Sequence, residues 1–377
     1  MNVQPAILMI TAVLTACGTK HENYDIRWNT NEVLPPQKNG RKHIGIAGPI
    51  IGIIGDKLIV AGGANFPDKM PWEGGIKQFS AELYIFKIDG DKVSLQDQQF
   101  LTEAIAYVGS CSLNDAIYVA GGENQNGVSA MLKKLTLEQD SVQQEILISL
   151  PLPLTNGSLV SANNKLFYIG GENQNIVSDK IYSLDLSTPN SIWEEFSTLP
   201  YPLTHAVIVS NNKDKIFIAG GRKPNKGSKS TIYSKIFEVD VCKDKIVEIG
   251  ILPEPLAAGT GVLDSSGDLL IFGGDNAETF HKVESIIAEI SETNDPIQKD
   301  ILNTRKAQLQ SDHPGFSHNS WSYNIEQKKW STLAPIEGES PVTTLAITHG
   351  DQIIIPSGEK SAGVRTDQIL IGKIERK

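Results

Sequence analysis

An eight-residue phrase that closes on a glycine pair recurs along this chain, and no other feature constrains the fold as much. Its first copy is Asp56-Lys57-Leu58-Ile59-Val60-Ala61-Gly62-Gly63, and further copies end at Gly121-Gly122, Gly170-Gly171, Gly220-Gly221 and Gly273-Gly274. A worn sixth copy, Asp351-Gln352-Ile353-Ile354-Ile355-Pro356-Ser357-Gly358, keeps only the second glycine. Most copies stand about fifty residues apart. A run such as Leu58-Ile59-Val60-Ala61 is apolar at every position, the pattern of a strand covered on both faces. Glycines at its end permit backbone angles that a side chain forbids and let neighbouring chain come close. One such phrase would mark an ordinary turn. Six in register, with room for four short strands per unit, predict an all-β, six-bladed propeller.

Period and glycine pair together resemble kelch repeats, in which each unit is one blade. The units run at roughly 43–102, 103–151, 152–200, 201–253, 254–335 and 336–377. In the third, strands are expected at 157–162, 165–169, 180–186 and 192–198, stepping outward from the axis. Blades end on a recurring pattern: Trp193 precedes Leu199-Pro200, and Trp330 precedes Leu333-Ala334-Pro335. Proline suits these points because it joins no hydrogen-bond ladder. The same pattern, Trp28 before Leu34-Pro35, stands ahead of the first unit. Residues 25–34 therefore read as an outermost strand that arrives before any blade has begun. After Ser357-Gly358 the chain offers one more strand, 366–374, and stops. Pairing the two closes the ring and removes two open edges. Residues 18–377 then make one domain.

The fifth unit is too long. An insertion at about 276–315 places Val283, Ile286, Ile287 and Ile290 at helical spacing. Asp295-Pro296 interrupts that pattern, and Ile297, Ile301, Leu302 and Leu309 suggest a second short helix. Such an insertion can wall the axial mouth as a lid or pack on the rim as a stabilising hairpin.

With 44 acidic against 34 basic residues the net charge is −10, which argues against a nucleic-acid partner. Of the three cysteines, Cys111 falls in a predicted inner strand and Cys242 in a predicted outer one. They form no disulfide framework, and no CxxC or clustered Cys/His pattern marks a metal site. Residues 1–17 read as an export signal. Residues 6–16 are mostly apolar yet too short to span a membrane, and Leu14-Thr15-Ala16-Cys17 resembles the bacterial lipoprotein box. That makes Cys17 the lipidated first residue of a periplasmic or outer-membrane lipoprotein of a Gram-negative bacterium, with membrane contact only through this anchor. Residues 1–5 lack the customary Lys or Arg, so a cleaved, soluble periplasmic protein is the alternative.

Loops that follow the glycine pairs should gather at one mouth of the channel. They carry Asn65, Trp72, Glu73 and Lys77; Glu123, Asn124 and Asn126; Glu172, Asn173 and Asn175; Arg222; Asp275 and Asn276; and Glu359 with Arg365. Acids, amides and a few cations around one cavity suit a polar or anionic small molecule. Asn65, Glu73, Lys77, Glu123 and Arg222 are the substrate-binding candidates, although each alone fits ordinary loop-tip polarity.

Glu359 and Arg365 stand apart. The segment Ser357-Gly358-Glu359-Lys360-Ser361-Ala362-Gly363-Val364-Arg365-Thr366-Asp367 resembles the signature of the bacterial N-acetylneuraminate epimerases (sialic acid mutarotases), which are six-bladed kelch propellers. A second similar stretch lies between Gly48 and Gly75, with Ala61-Gly62-Gly63-Ala64-Asn65-Phe66 and Glu73-Gly74. The family also carries a helical insertion in one blade. Its first blades resemble the middle of this chain, so the relationship implied is a cyclic permutation, which a ring of blades tolerates.

The resemblance implies an isomerase acting on a sialic acid, with Glu359 and Arg365 as catalytic pair and no cofactor. Their chemistry suits that role. Mutarotation opens a 2-keto sugar acid to a ketone and recloses it on the other face. One group takes the anomeric proton while another donates toward the ring oxygen. A partly desolvated Glu359 can act as acid and base, and planar Arg365 can hold a carboxylate or steady an oxyanion. A structural ion pair is the plainer alternative. The rival function is a non-catalytic kelch module binding glycan or protein at the cell envelope, since fold alone does not decide. The Ser-x-Asp-x-Gly-x-Thr-Trp boxes of a sialidase and the Tyr/His/Cys ligands of a copper oxidase are not apparent.

Overall fold

Each apolar phrase forms the second strand of a four-stranded antiparallel blade, and six such blades, the first with the short strand Gln78–Phe79 added to its second strand, form the body of the molecule in a computed structural model describing residues 24–376. The second strands are Lys57–Asn65, Ala116–Ala120, Lys165–Ile169, Lys215–Ala219, Leu269–Phe272 and Gln352–Ser361. In the third blade Ser158–Ala162, Lys165–Ile169, Lys180–Asp185 and Glu194–Thr198 follow one another outward, close to the bounds read from sequence. Residues 1–17, with Cys17, lie outside the described residues.

The core sits between blades rather than inside them. Leu34, Ile51, Val60 and Tyr84 pack with Ile354, Ile369 and Ile371 where blade one meets blade six. Five further clusters of the same kind fill the other junctions. This is why the second strands are apolar at every position: each is covered on both faces by neighbours, and each large side chain contributes about 1.5–3 kcal/mol of burial.

The ring closes as the sequence predicts. Strand Tyr24–Val33 pairs antiparallel with Val364–Arg376, Trp28 opposite Gly372, as the outermost strand of blade six. Trp28 also meets Phe272 of blade five edge-on, with ring centroids 5.6 Å apart. The other blade-ending tryptophans serve the same joint: Trp193 Nε1 donates to Ile148 O at 3.1 Å and Trp330 Nε1 to Ile251 O at 2.9 Å, each in the preceding blade.

The glycine pairs are junctions between blades. The second glycine donates to a carbonyl of the next blade: Gly63 to Ile105 O, Gly122 to Leu154 O, Gly171 to Leu203 O and Gly221 to Leu256 O, at 2.7–3.0 Å. The first has φ near +65°, and a Cβ there would meet that same carbonyl, at 2.3 Å in the case of Gly121. Blade six does without the first glycine because Ser357, at φ 57°, turns its hydroxyl onto the backbone N–H and carbonyl of Ile46.

At or shortly before the start of each innermost strand one residue adopts left-handed φ: Gly48, Tyr107, Asn156, His205, Ala258 and Thr343, at 54–62°. Each donates its N–H to the carbonyl of its counterpart in the blade before, at 2.8–3.1 Å, and Gly48 closes the circle on Thr343. This collar of six backbone hydrogen bonds rings the axis. On one side of it runs the axial channel, about 730 Å³, lined by inner-strand residues including Ser112, Ser161, Ser210 and Thr348. On the other side lies the mouth onto which the glycine-pair loops open.

Two helices form in the insertion, α1 (Glu278–Glu292) and α2 (Pro296–Ser311), the second capped by Asp295, which accepts from Ile297 N. Helix α1 packs on strand Ser228–Ile232 of blade four, and α2 on the Pro71–Glu73 turn of blade one. Glu284 accepts from both the N–H and the hydroxyl of Ser230, and His281 Nε2 meets Ser230 O at 3.0 Å. Blades one and four stand opposite each other in a ring of six, so a hairpin joined to both lies across the mouth. It is a lid.

One sequence expectation changes. Cys242 lies in the exposed turn between strands Lys235–Asp240 and Lys245–Ile251, because the outer strand starts later than its pattern suggested. Cys111 does lie in an inner strand, Gly109–Leu113. Arg365, half of the candidate pair, is itself buried, only 8% exposed.

Candidate active site

Blade symmetry aligns the residue after each glycine pair. Glu123, Glu172, Arg222, Asp275 and Glu359 each form an antiparallel bridge to the residue just before the collar, as Ala64 does within its strand pair. Four carboxylates and one guanidinium therefore ring the mouth directly above Tyr107, Asn156 and His205. The side chains fall into two groups.

The first surrounds the predicted pair. Glu359 and Arg365 are cross-strand partners in the hairpin of Gln352–Ser361 and Val364–Arg376, which turns at Ala362-Gly363. Glu359 Oε1 lies 3.5 Å from Arg365 Nη1 and accepts the Gly363 N–H at 2.7 Å. Arg365 Nε donates to Ala64 O at 3.3 Å, Nη2 reaches the Tyr107 hydroxyl at 3.5 Å, and Phe66 lies under the guanidinium at 5.1 Å. Nη1 is buried and has no hydrogen-bond partner among the described residues. Lys77 Nζ pairs with Glu123 Oε1 at 2.8 Å and stands over the rings of Tyr107 and Phe79. Burial raises the Tyr107 phenol, Arg365 opposes and Glu359 adds to the rise, so the hydroxyl stays protonated.

The second group lies across the mouth. Glu172 Oε1 accepts from Asn156 Nδ2 at 3.1 Å and stands 3.6 Å from Arg222 Nη2 and 3.8 Å from His205 Nε2. Arg222 stacks on Phe280 of α1 at 5.1 Å, which ties the site to its lid. Burial, then Arg222, holds His205 well below the ordinary histidine value, and it is neutral. Asp275 is raised by burial, against the Ala277 N–H, His313, Arg222 and His281. His313, on the segment after α2, is lowered by burial, while Asp275 and Glu359 oppose.

The remaining candidates are placed as follows. Asn65 is buried and its amide donates to Gly45 O at 2.9 Å, holding the chain beside Ala64. Glu73 is exposed and accepts from Met70 N at 3.0 Å, capping its own short helix. Asn124 and Asn173 bond to Glu103 and Pro153 O. Trp72 lies against Gly363 beside the Glu359–Arg365 hairpin. Among the described residues no group of three His, Cys, Asp or Glu is placed to hold a metal ion. No described helix is long and apolar enough to cross a membrane.

The sequence model of the N-acetylneuraminate epimerases matches residues 147–377, more than half of the chain. The chain belongs to the N-acetylneuraminate epimerase family. Similar proteins include a kelch domain-containing protein of Vibrio cholerae, 39% identical over 110 residues, which are 26% of this chain and 30% of that one. The N-acetylneuraminate epimerase of Vibrio vulnificus is 32% identical over 105 residues, 26% of each chain, and that of Salmonella enteritidis 27% over 118 residues, 28% of this chain and 29% of its own. The chain thus aligns with less than a third of the length of these curated relatives. The solved structure of YjhT superposes with a TM-score of 0.64 at 15% identity, covering 92% of this chain and all of that one, and so shares the fold.

For this member of the N-acetylneuraminate epimerase family, sequence reasoning missed Tyr107, Asn156, His205 and His313. The first three carry a usable signal: each stands fifteen or sixteen residues before the second glycine of its blade, the collar position. His313 carries none, because it belongs to the insertion and has no counterpart in other blades.

Proposed function

We propose that this protein interconverts the anomers of N-acetylneuraminate by acid–base opening and closure of the sugar ring, with Glu359 and Arg365 carrying the reaction. The observation that supports this most is Arg365 itself. Its Nη1 is buried beside Glu359 without a hydrogen bond to any described residue. A buried donor without an acceptor costs stability, and guanidinium is a donor only. A substrate carboxylate placed against it gains a charge-assisted bond from a group that is already desolvated.

Glu359 has the complementary capacity. The anomeric hydroxyl and the ring oxygen of a pyranose share one carbon, so the two oxygens of one carboxylate can face both. Glu359 takes the proton from the hydroxyl, the bond from the anomeric carbon to the ring oxygen breaks, and the same proton is returned to the ring oxygen. Rotation of the open ketone and reversal of these steps give the other anomer. Glu123, Glu172 and Asp275, with Asn156, supply hydrogen-bond partners for a polyhydroxylated tail. Export, with Cys17 as lipidated first residue, is part of the same proposal and places the enzyme where sialic acid is released; Cys17→Ser should move the protein from the membrane to the soluble fraction, and unchanged fractionation refutes the anchor.

NMR of freshly released α-N-acetylneuraminate tests the activity. Wild type should speed α-to-β conversion beyond buffer. Glu359→Gln should lose ~10²–10⁴-fold, and Arg365→Lys should raise KM and lower kcat because the planar fork is lost. Absence of any excess rate with wild type would leave a binding module as the reading; a fully active Glu359→Gln would remove Glu359 from the mechanism.

A further inference from the structure

Ring opening leaves negative charge on the ring oxygen, and Glu359 cannot neutralise it until its proton arrives. We propose that His313, carried to the mouth by the lid, donates its Nε2–H to that oxygen in the transition state, opposite Glu359. The inference rests on the mutarotase reading above.

Three observations carry it. The first is the tautomer. His313 Nδ1 accepts the Gly315 N–H at 3.1 Å, so in the neutral ring the proton sits on Nε2 and is free to be donated. The second is position. Gly315 lies close enough to Lys360, the residue after Glu359, that a Cβ on it would stand 3.5 Å from the Lys360 carbonyl. The segment that carries His313 therefore runs beside the Glu359 hairpin on the lid side. The same ring lines a cleft of about 600 Å³ between the insertion and blade five, together with Asp275, Asn276 and Phe316, and packs against Phe316 at 4.9 Å. The third is charge. His313 sits in the field of Glu359 from blade six and Asp275 from blade five, while Arg222 and His281 act on Asp275 from blade four and α1. Burial nevertheless keeps the imidazole neutral, the form in which the Gly315 bond and the Nε2 donor coexist.

The step balances without a further reactant. Glu359 removes the anomeric proton, and that O–H electron pair becomes the second bond of the ketone. The pair of the broken ring bond stays on the ring oxygen, which then receives the proton held by Glu359. His313 keeps its own proton throughout and acts as a fixed dipole; a neutral imidazole can polarise an oxygen in this way.

The test uses the full chain in the NMR anomerisation assay, with thermal unfolding as a check on folding. His313→Ala should lower kcat by ~10²–10³-fold while KM changes little, as for loss of one oxyanion donor. His313→Gln, whose amide restores an N–H near Nε2, should recover part of that loss, and so should imidazole added to the alanine variant. An alanine variant as active as wild type overturns the proposal, as does a loss confined to KM or one that neither glutamine nor imidazole restores. An inactive wild type would instead overturn the mutarotase reading itself, and with it this inference.

Discussion

Replacing Gly121 by alanine tests whether the glycine pairs serve the neighbouring blade. Gly121 has φ 68°, and an added Cβ would lie 2.3 Å from Leu154 O and 2.8 Å from the Tyr168 hydroxyl. That carbonyl belongs to the next blade and accepts from Gly122 N at 2.9 Å and Tyr168 Oη at 3.2 Å. Left-handed backbone costs a non-glycine residue roughly 1–2 kcal/mol. Moving the carbonyl away leaves a buried N–H short of its partner, worth about 1–3 kcal/mol more. The expected loss is therefore about 2–5 kcal/mol, a large share of the 5–15 kcal/mol that ordinarily holds a domain folded. Gly55→Ala is the matched control: φ is 60° and nothing stands within 4 Å of the new Cβ, so only the backbone term applies. Urea unfolding followed by tryptophan fluorescence gives both midpoints and slopes. If the two variants lose the same stability to within about 0.5 kcal/mol, the contact between blades is not what demands glycine.

Two further predictions concern ring closure and pH. Trp28→Ala empties a site that is 5% exposed between blades six and five, so it should cost about 3–5 kcal/mol in thermal or urea unfolding; an unchanged midpoint would mean that the ring holds without its N-terminal strand. His205 is depressed by burial and by Arg222, so below about pH 6.5 the unfolded chain binds a proton that the folded one refuses. Stability should fall as pH drops from there toward the folded value and stay flat above it. His205→Asn should flatten that slope in urea midpoints measured between about pH 7.5 and pH 5, and an unaltered slope would assign the effect to another group, such as buried His43, which is also lowered.

The family's signature segment was legible because it is short and contiguous. Glu359 and Arg365 stand six residues apart on one hairpin, and a tight turn at Ala362-Gly363 must bring them face to face. Lys77 and Glu123 could be named as mouth residues but not paired, since 46 residues and a blade junction separate them. Glu73 looked equally available and instead caps its own turn. Local sequence does not distinguish a carboxylate facing the axis from one facing solvent.

Blade number, strand order and closure by the N-terminal strand were all determined by the sequence. Blade number and strand order rest on hydrogen bonding and burial within about fifty residues, whereas closure pairs Tyr24–Val33 with Val364–Arg376 across the whole chain and is legible because the blade-ending tryptophan pattern recurs ahead of the first unit. Only the tertiary structure decided which side chains meet at the axis. Tyr107 reaches Arg365, Asn156 and His205 reach Glu172, and His313 shares a cleft with Asp275 because blades take fixed angles around a collar and the lid spans from blade four to blade one. Those angles are set by packing between blades, summed around a closed ring, and no stretch of sequence shorter than the ring contains them.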